Sequence, residues 1–281
     1  MGELDGSLRL GKIGFLNVLP VYYALEKGLI EHPFEIYEGS PSELNRMIAK
    51  GDLGISAISS LEYGCNYRKY LLIPGLSISS VGKVKSVVLF SDHPVEKLDQ
   101  EGILLTNKSY TSVHLLRLLF SKFWEVNPCY IRDESSSGFH FYKNYPAVLA
   151  IGDDALKLAR GGKFRYQYDL GEAWHRWTGK PFVFAVWVIN KRIMASLNGH
   201  MQVAYDALMA AKKFGMEHLT DIALEASSEN ILPYTECLEY FKQLRYDLTD
   251  EYLEGLELFF SYLVETRLLP EKPLIHFFPG S

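Results

Sequence analysis

The stretch FVFAVWVIN, residues 182–190, is the segment on which the fold turns. It is apolar almost throughout and reads as a buried strand. The run PFVFAVWVI (181–189) is about half the length a bilayer span requires. Upstream of it, strands alternate with helices; downstream, the pattern is helical. A buried strand at that junction returns the chain to a sheet it left earlier.

The sheet it rejoins is the first one. LRLGKIGF (8–15) reads as a strand and VYYALEKGLI (21–30) as a helix with Gly28 near its end. FEIYEG (34–39) alternates apolar and polar residues, as a strand does. In SPSELNRMIAKG, Ser40 caps a helix, Pro41 suits its first position and Glu43 completes a capping box. Leu44, Met47 and Ile48 share one face, and Gly51 ends the helix. LGISAIS (53–59) is the next strand, closing on Ser59 and Ser60. This order implies a parallel α/β sheet.

VKSVVLFSD (84–92) is a longer strand that leaves this sheet, and GILLT (102–106) opens a new βα unit. Its helix starts near SYTSVHLLRLLFSKF, capped by Ser109 or Thr111, with Leu116, Leu119 and Phe120 inward. AVLAIGDDALKLAR (147–160) reads as strand, turn, helix. Beyond residue 190, helices are expected at 199–214, 217–227, 235–246 and 249–267, the last placing Leu253, Leu256, Phe260 and Leu263 at helical spacing. The predicted architecture is α/β with two lobes, two crossing strands and a helical C-terminal region. One lobe spans 1–91 and 190–281 and the other 92–189, with hinges near Phe90–Asp92 and Asn190–Arg192 and a ligand cleft between the lobes.

Composition narrows the function. A net charge of −5 and a pI near 5.9 argue against general nucleic-acid binding. Cys65, Cys129 and Cys237 are odd in number and widely spaced, so neither a disulfide framework nor a zinc site is legible. They are expected as buried thiols in a reducing compartment. MGELDGSLRL has no basic or apolar segment of a signal peptide, so the expectation is a soluble, cytoplasmic protein without membrane contact. No G-x-G-x-x-G or P-loop follows a predicted strand, and G-x-S-x-G and H-E-x-x-H are absent. The eight histidines are scattered; His114 and His140 lie near loops of interest but read as structural or surface residues.

What remains is a set of small polar residues at strand C-termini, where open α/β sheets bind ligands. Asn17 follows the first strand, Ser40 and Ser42 open a helix, and Ser59 and Ser60 end a strand. Gly82 and Ser86 flank the first crossing strand. Ser109, Thr111 and Ser112 open another helix, and Gly152 and Asp153 follow a further strand. Singly, such residues are ordinary caps, and the plainer alternative for Asn17 is the N-cap of a helix over 18–27. Together they converge on one cleft. Hydroxyls, an amide and backbone N–H groups at helix starts suit a small carboxylic acid. Tyr110, Phe184 and Trp187 are candidate aromatic walls.

The segments IGFLNVLPVYYALEKG, GSPSELNRMIAKGDLGISAISSLEY, SISSVGKVKSVVLFSDHP, YTSVHLLRLL, IGDDAL and YDLGEAWHRWTGKPFVFAVW run in this order. Together they resemble the chorismate dehydratases of the futalosine route to menaquinone, densely over residues 8 to 190 and loosely beyond. The most specific is DLGEAWHRWTGKPFVFAVW, which nothing generic about α/β folds demands. The resemblance implies the two-lobed fold of type II periplasmic binding proteins. It also implies conversion of chorismate to 3-[(1-carboxyvinyl)oxy]benzoate and water, without metal or organic cofactor. By this likeness Asn17 in FLN and Ser86 in VKSV match active-site residues, and Thr111 and Ser112 in YTSV match a carboxylate-binding helix start. Ser42, Ser60, Gly152 and Asp153 carry over as cleft-lining positions.

In that reaction the ring becomes aromatic by losing the C3 proton and the C4 hydroxyl. Proton loss pushes charge into the ring carboxylate, where Thr111, Ser112 and their helix start would act. Asn17 and Ser86 would orient the enolpyruvyl arm or assist the leaving hydroxyl. The proton acceptor is either Asp153, whose simpler role is an N-cap, or the substrate's own enolpyruvyl carboxylate. Two alternatives stand beside this reading. One is a solute-binding protein for a small organic anion. The other is the sister 1,4-dihydroxy-6-naphthoate synthase, whose first loop resembles Pro-Cys-Pro-Asn-Asp and which uses a histidine; here the loop is FLNVLP, and His140 is the feature that keeps it open.

Overall fold

The structure, a computed structural model, describes residues 8–132, 142, 144–194 and 200–279. The first unit comprises β1 (Leu8–Ile13), α1 (Leu19–Glu26), β2 (Phe34–Gly39), α2 (Pro41–Lys50), β3 (Ile55–Ser59), α3 (Ser60–Asn66) and β4 (Tyr70–Ser80). The second comprises β5 (Val87–Ser91), β6 (Gly102–Leu105), α4 (Tyr110–Leu119), β7 (Cys129–Arg132), β8 (Ala147–Ile151), α5 (Gly152–Gly161) and β9 (Tyr166–Asp169). The chain returns through α6 (Leu170–Thr178) to β10 (Phe182–Asn190), followed by α7 (Lys191–Met194), α8 (His200–Glu217), α9 (Leu219–Ser227), α10 (Tyr234–Gln243) and α11 (Asp250–Glu265).

Two five-stranded sheets result, in the orders β2-β1-β3-β10-β4 and β7-β6-β8-β5-β9. In the first, β1 runs parallel to β2 and β3, while β10 enters antiparallel between β3 and β4, with Val186 opposite Ile58 and Ala185 opposite Ile78. The unbroken apolar character of 182–190 follows from that central place, because an interior strand covered on both faces has no solvent side to mark with polar residues. In the second sheet β6 is parallel to β7 and β8, and β5 is antiparallel to β8 and β9.

The chain passes between the sheets twice, at 81–86 and at 170–181, as the order of elements led us to expect. The residue boundaries differ from those expected. Phe90 and Ser91 lie inside β5 and pair with Val148 and Ala147, so β5 belongs wholly to the second sheet. Asn190 pairs with Tyr70, so β10 belongs wholly to the first. Divisions at 91/92 and 189/190, and hinges at Phe90–Asp92 and Asn190–Arg192, therefore cut at the wrong ends of these two strands. An apolar run does not mark the crossing, since strands of both sheets are equally buried.

The C-terminal helices pack back on the first sheet. Fully buried Trp174 of α6 sets its indole edge-on to Phe182 at 5.2 Å and to Phe259 of α11 at 6.2 Å, and its Nε1 donates to the Pro181 carbonyl at 3.1 Å. A smaller cluster, including Val88, Phe90, Leu104, Val148 and Phe164, covers the second sheet. Two expectations are corrected. Cys65 and Cys129 are exposed and only Cys237 is buried, because α3 and β7 carry the first two on their outer faces. Trp187 is no cleft wall: it is fully buried, with its Nε1 donating to the Tyr22 hydroxyl at 3.1 Å. No helix among the described residues is long and apolar enough to cross a membrane.

Candidate active site

A cavity of about 400 Å³ opens between the two sheets, within the range of small-molecule sites. The first sheet contributes Phe15 and Asn17 after β1, Ser40, Ser42 and Asn45 around the start of α2, and Ser59 and Phe184. The second contributes Val84 and Ser86 of the first crossing, Asn107 to Tyr110 and Ser112 at the start of α4, and Gly152 at the start of α5. The polar lining is therefore of hydroxyls, amides and one lysine.

The turn after β1 builds the first wall. Leu16–Val18 form a single helical turn, and α1 begins at Leu19 with Pro20 in its first turn, where the missing N–H costs nothing. Val18 holds the N-cap position and no side chain caps the helix, so Asn17 is not its N-cap. The Asn17 carbonyl instead accepts from the Tyr246 hydroxyl at 2.8 Å. Its side-chain Oδ1 is buried and has no hydrogen-bond partner. Leaving such an atom unsatisfied costs about 1–3 kcal/mol, a cost that a ligand donor would remove. The α2 wall forms as its sequence predicts: Ser40 accepts from Glu43 N at 3.3 Å, Pro41 follows, and Gly51 closes the helix at φ +88°. Ser42 stands beside Ser40, their oxygens 3.3 Å apart, and both line the cavity.

Ser86 lies at the end of the first crossing, 2% exposed, with the Tyr240 hydroxyl within hydrogen-bonding reach. Its carbonyl accepts from Gly152 N at 2.7 Å. Gly152 has φ +57°, a conformation that favours glycine, and a Cβ there would stand a tight 3.1 Å from the Phe15 ring. The crossing's shape is held from the opposite strand. Asp169, the N-cap of α6, accepts from Val84 N at 3.0 Å, Lys85 N at 2.6 Å and Glu172 N at 3.1 Å. These bonds hold Lys85 at φ +63°, a conformation non-glycine residues seldom adopt. Burial raises the Asp169 carboxyl above the ordinary range, against the opposing pull of those N–H donors. Gly171 completes the joint, for a Cβ on it would fall 2.6 Å from both the Gly82 carbonyl oxygen and the Ser80 Oγ.

At the start of α4, Ser109 is the N-cap, accepting from Ser112 N at 3.2 Å, and the two hydroxyls are 3.0 Å apart. Thr111 departs from its expected role. It is 1% exposed, does not line the cavity, and accepts from Leu61 N at 3.0 Å, tying α4 to the first turn of α3. Ser60 departs likewise: fully buried, it donates to the Val183 carbonyl at 2.6 Å. Both turn their oxygens to a neighbouring backbone because that backbone, not the cavity, is what lies beside them.

Asp153 lies behind Phe15, lining a neighbouring cavity of about 280 Å³ with Lys12, Glu26 and Glu38. It is not the N-cap of α5, a position held by Ile151. Its Oδ1 accepts from Leu16 N at 3.3 Å, and burial raises its pKa. No aspartate, glutamate or histidine is among the described residues lining the cleft. His114 sits on α4, away from the lining. His140 lies outside the described residues.

Sequence reasoning missed Asn45, Lys108, Asp169, Tyr240 and Tyr246. Asp169 was findable, since D-L-G-E just before an amphipathic segment is a capping signature. Lys108 stands next to a recognised cap. Nothing local marks the two tyrosines, which reach the site only through packing of the C-terminal helices.

The model of a family described as menaquinone biosynthesis matches residues 8–265. The chain belongs to that family. A chorismate dehydratase from Thermus thermophilus is 30% identical over 95% of this chain and 97% of its own length. Among solved structures, protein AF1704 from Archaeoglobus fulgidus superposes with a TM-score of 0.73 at 16% identity, over 95% of this chain and all of that one. The alkanesulfonate-binding protein SsuA from Xanthomonas axonopodis pv. citri, bound to MOPS, gives 0.71 at 14% identity, over 98% of each chain. At such identities these neighbours speak to the fold alone, and the fold is the two-lobed one of periplasmic binding proteins.

Proposed function

We propose that this chain is a chorismate dehydratase, a hydro-lyase that converts chorismate to 3-[(1-carboxyvinyl)oxy]benzoate and water in menaquinone biosynthesis. The observation that carries the reading is the end-to-end similarity to a chorismate dehydratase, over 95% of the chain. The cleft supports it chemically, offering neutral donors at two helix starts to a small organic anion.

The C3–H bond breaks and its electron pair moves through the ring toward the ring carboxylate. The C4–O bond then breaks, and the proton and hydroxyl depart as water. Stabilising the carboxylate charge as it grows is the largest task, and the start of α4 with Ser109 and Ser112 performs it. Asn17 and Ser86 act on the enolpyruvyl arm and the leaving hydroxyl. The absence of a carboxylate or imidazole among the described lining residues favours the substrate's own enolpyruvyl carboxylate as proton acceptor. Asp153 faces the neighbouring cavity and supports the turn that carries Asn17.

The lobes, divided at the two crossings, close on the substrate and exclude water. Exposed, unpaired Cys65 and Cys129 suit a reducing compartment, so the enzyme works in the cytoplasm. Incubation with chorismate should yield an aromatic product lighter by one water, seen by ultraviolet absorbance and mass. Chorismate retained without product would replace the enzyme with a binding protein for organic anions.

A further inference from the structure

Lys108 carries the one charged side chain among the described residues that line the cleft. Its ammonium is bound outside the cavity, to Asp154 Oδ2 at 2.6 Å, in a pair whose members are 42% and 28% exposed. Asp154 belongs to the first turn of α5 and does not line the cleft. Pairs this exposed contribute little, because water screens them and two flexible side chains must be ordered to form them. Exchanging Asp154 for another carboxylate therefore costs little, and the four-carbon stem of lysine allows the change.

The other lysines near the cleft do not line it and have other partners: Lys83 and Lys85 of the first crossing lie 3.9 Å from Glu172 and 3.5 Å from Glu239. Lys12 is buried between Glu26 at 2.6 Å and Glu38 at 3.1 Å, and it faces the neighbouring cavity. A ligand with two carboxylates thus meets neutral donors at the starts of α2 and α4 and one movable cation, attached to the loop immediately before α4.

From this geometry we infer that Lys108 is the charge-selecting residue of the cleft: it leaves Asp154 to pair with the second carboxylate of a dianionic ligand, the one on the enolpyruvyl arm. The first carboxylate, on the ring, is held by the neutral hydroxyls and N–H groups at the start of α4. Lys108 thereby selects dianions over monoanions of the same ring. Lys108 donates and accepts no proton in the reaction; its part is to bind the enolpyruvyl arm, and product binding reads that part apart from any change in the basicity of the carboxylate it pairs with. The inference rests on the chorismate dehydratase reading for the identity of the dianion.

Calorimetry with the reaction product and with 3-ethoxybenzoate, which keeps the ring carboxylate and lacks the second, tests this alongside steady-state turnover. Lys108→Met should weaken product binding and raise KM by at least about tenfold, equivalent to about 1.4 kcal/mol. Binding of 3-ethoxybenzoate should be unaffected. Lys108→Arg should recover most of the loss. Asp154→Asn breaks the same ion pair but leaves the cation, and should not weaken product binding. Equal losses in Lys108→Met and Asp154→Asn would make the pair a structural brace and overturn the inference, as would unchanged product binding in Lys108→Met. A wild-type protein that binds neither compound and turns over no chorismate would overturn the functional reading itself. Normal turnover with a Lys108→Met enzyme of normal KM would overturn the role of Lys108 alone.

Discussion

The two crossings between the sheets are made in opposite ways. The first, 81–86, is short, has two residues at positive φ, Gly82 and Lys85, and delivers Val84 and Ser86 to the cleft. The second, 170–181, is a helix anchored by Trp174 in the aromatic core, and none of its residues lines the cleft. Yet the first owes its shape to the second, through the bonds from Val84 N and Lys85 N to Asp169 at the cap of α6 and the close approach of Gly171 to Gly82. A short loop can hold a serine in place if a well-packed partner supplies the acceptors for its backbone N–H groups. That separates the residue facing substrate from the residues providing rigidity.

Trp174→Ala should break the comparison most severely. Removing a fully buried indole at the second crossing costs about 3–5 kcal/mol, seen as a lower urea midpoint. If stability barely changed, the second crossing would not be the anchor. Ser86→Ala on the first crossing should do the reverse, with folding intact and kcat lower by about 10²–10³, or about 2.7–4 kcal/mol. Asn17→Ala, on the facing wall, should lose a similar factor; turnover within about threefold of wild type would remove either residue from the mechanism.

Gly171→Ala probes the joint itself. The new methyl must push on the Gly82 carbonyl and Ser80, so about 1–3 kcal/mol of stability should go, and kcat should fall as Ser86 shifts. A stable variant with normal kcat would show that the joint does not position Ser86. His114, on α4 and outside both crossings, offers a contrast through pH. Burial, then the neighbouring Arg117 and Arg132, lower its pKa to about 4. An unfolded imidazole titrates near 6.5, so between these values the unfolded chain binds the extra proton and stability falls as pH drops. His114→Gln should flatten that limb of the denaturation profile without altering the crossings; an unchanged limb would rule the histidine out as its source. The smallest effect belongs to Asp153→Asn, with kcat expected within about threefold of wild type; a loss of a hundredfold would restore Asp153 as proton acceptor.

Much of the scaffold was legible because its signals are local. The start and end of α2 follow from Ser40, Pro41 and Gly51, and the cap of α4 from Ser109, each within one helical turn of the groups it satisfies. The residues around the cleft were recognisable as a set for the same reason, since strand ends and helix starts announce themselves. Their individual directions were not. Ser59 and Ser60 are neighbours of one type, as are Thr111 and Ser112, but Ser60 and Thr111 spend their oxygens on Val183 and Leu61, far away in the chain. Asp153 read as a cap or a base; it is not the cap, a position held by Ile151, and its carboxylate lines the neighbouring cavity, where Leu16 N from another element reaches it.

By itself the sequence determined an α/β chain that leaves its first sheet and returns at 182–190, with small polar residues clustered where strands end. Periodicity, capping and turn chemistry act over a few residues, so a linear reading suffices for them. Only the tertiary structure decided which hydroxyls face the cleft, where the chain crosses between sheets, and that Tyr240 and Tyr246 stand behind Ser86 and Asn17. Those outcomes depend on which distant backbone groups come within about 3 Å of a side chain, and a hydrogen bond of that reach is set by packing, not by neighbours in sequence.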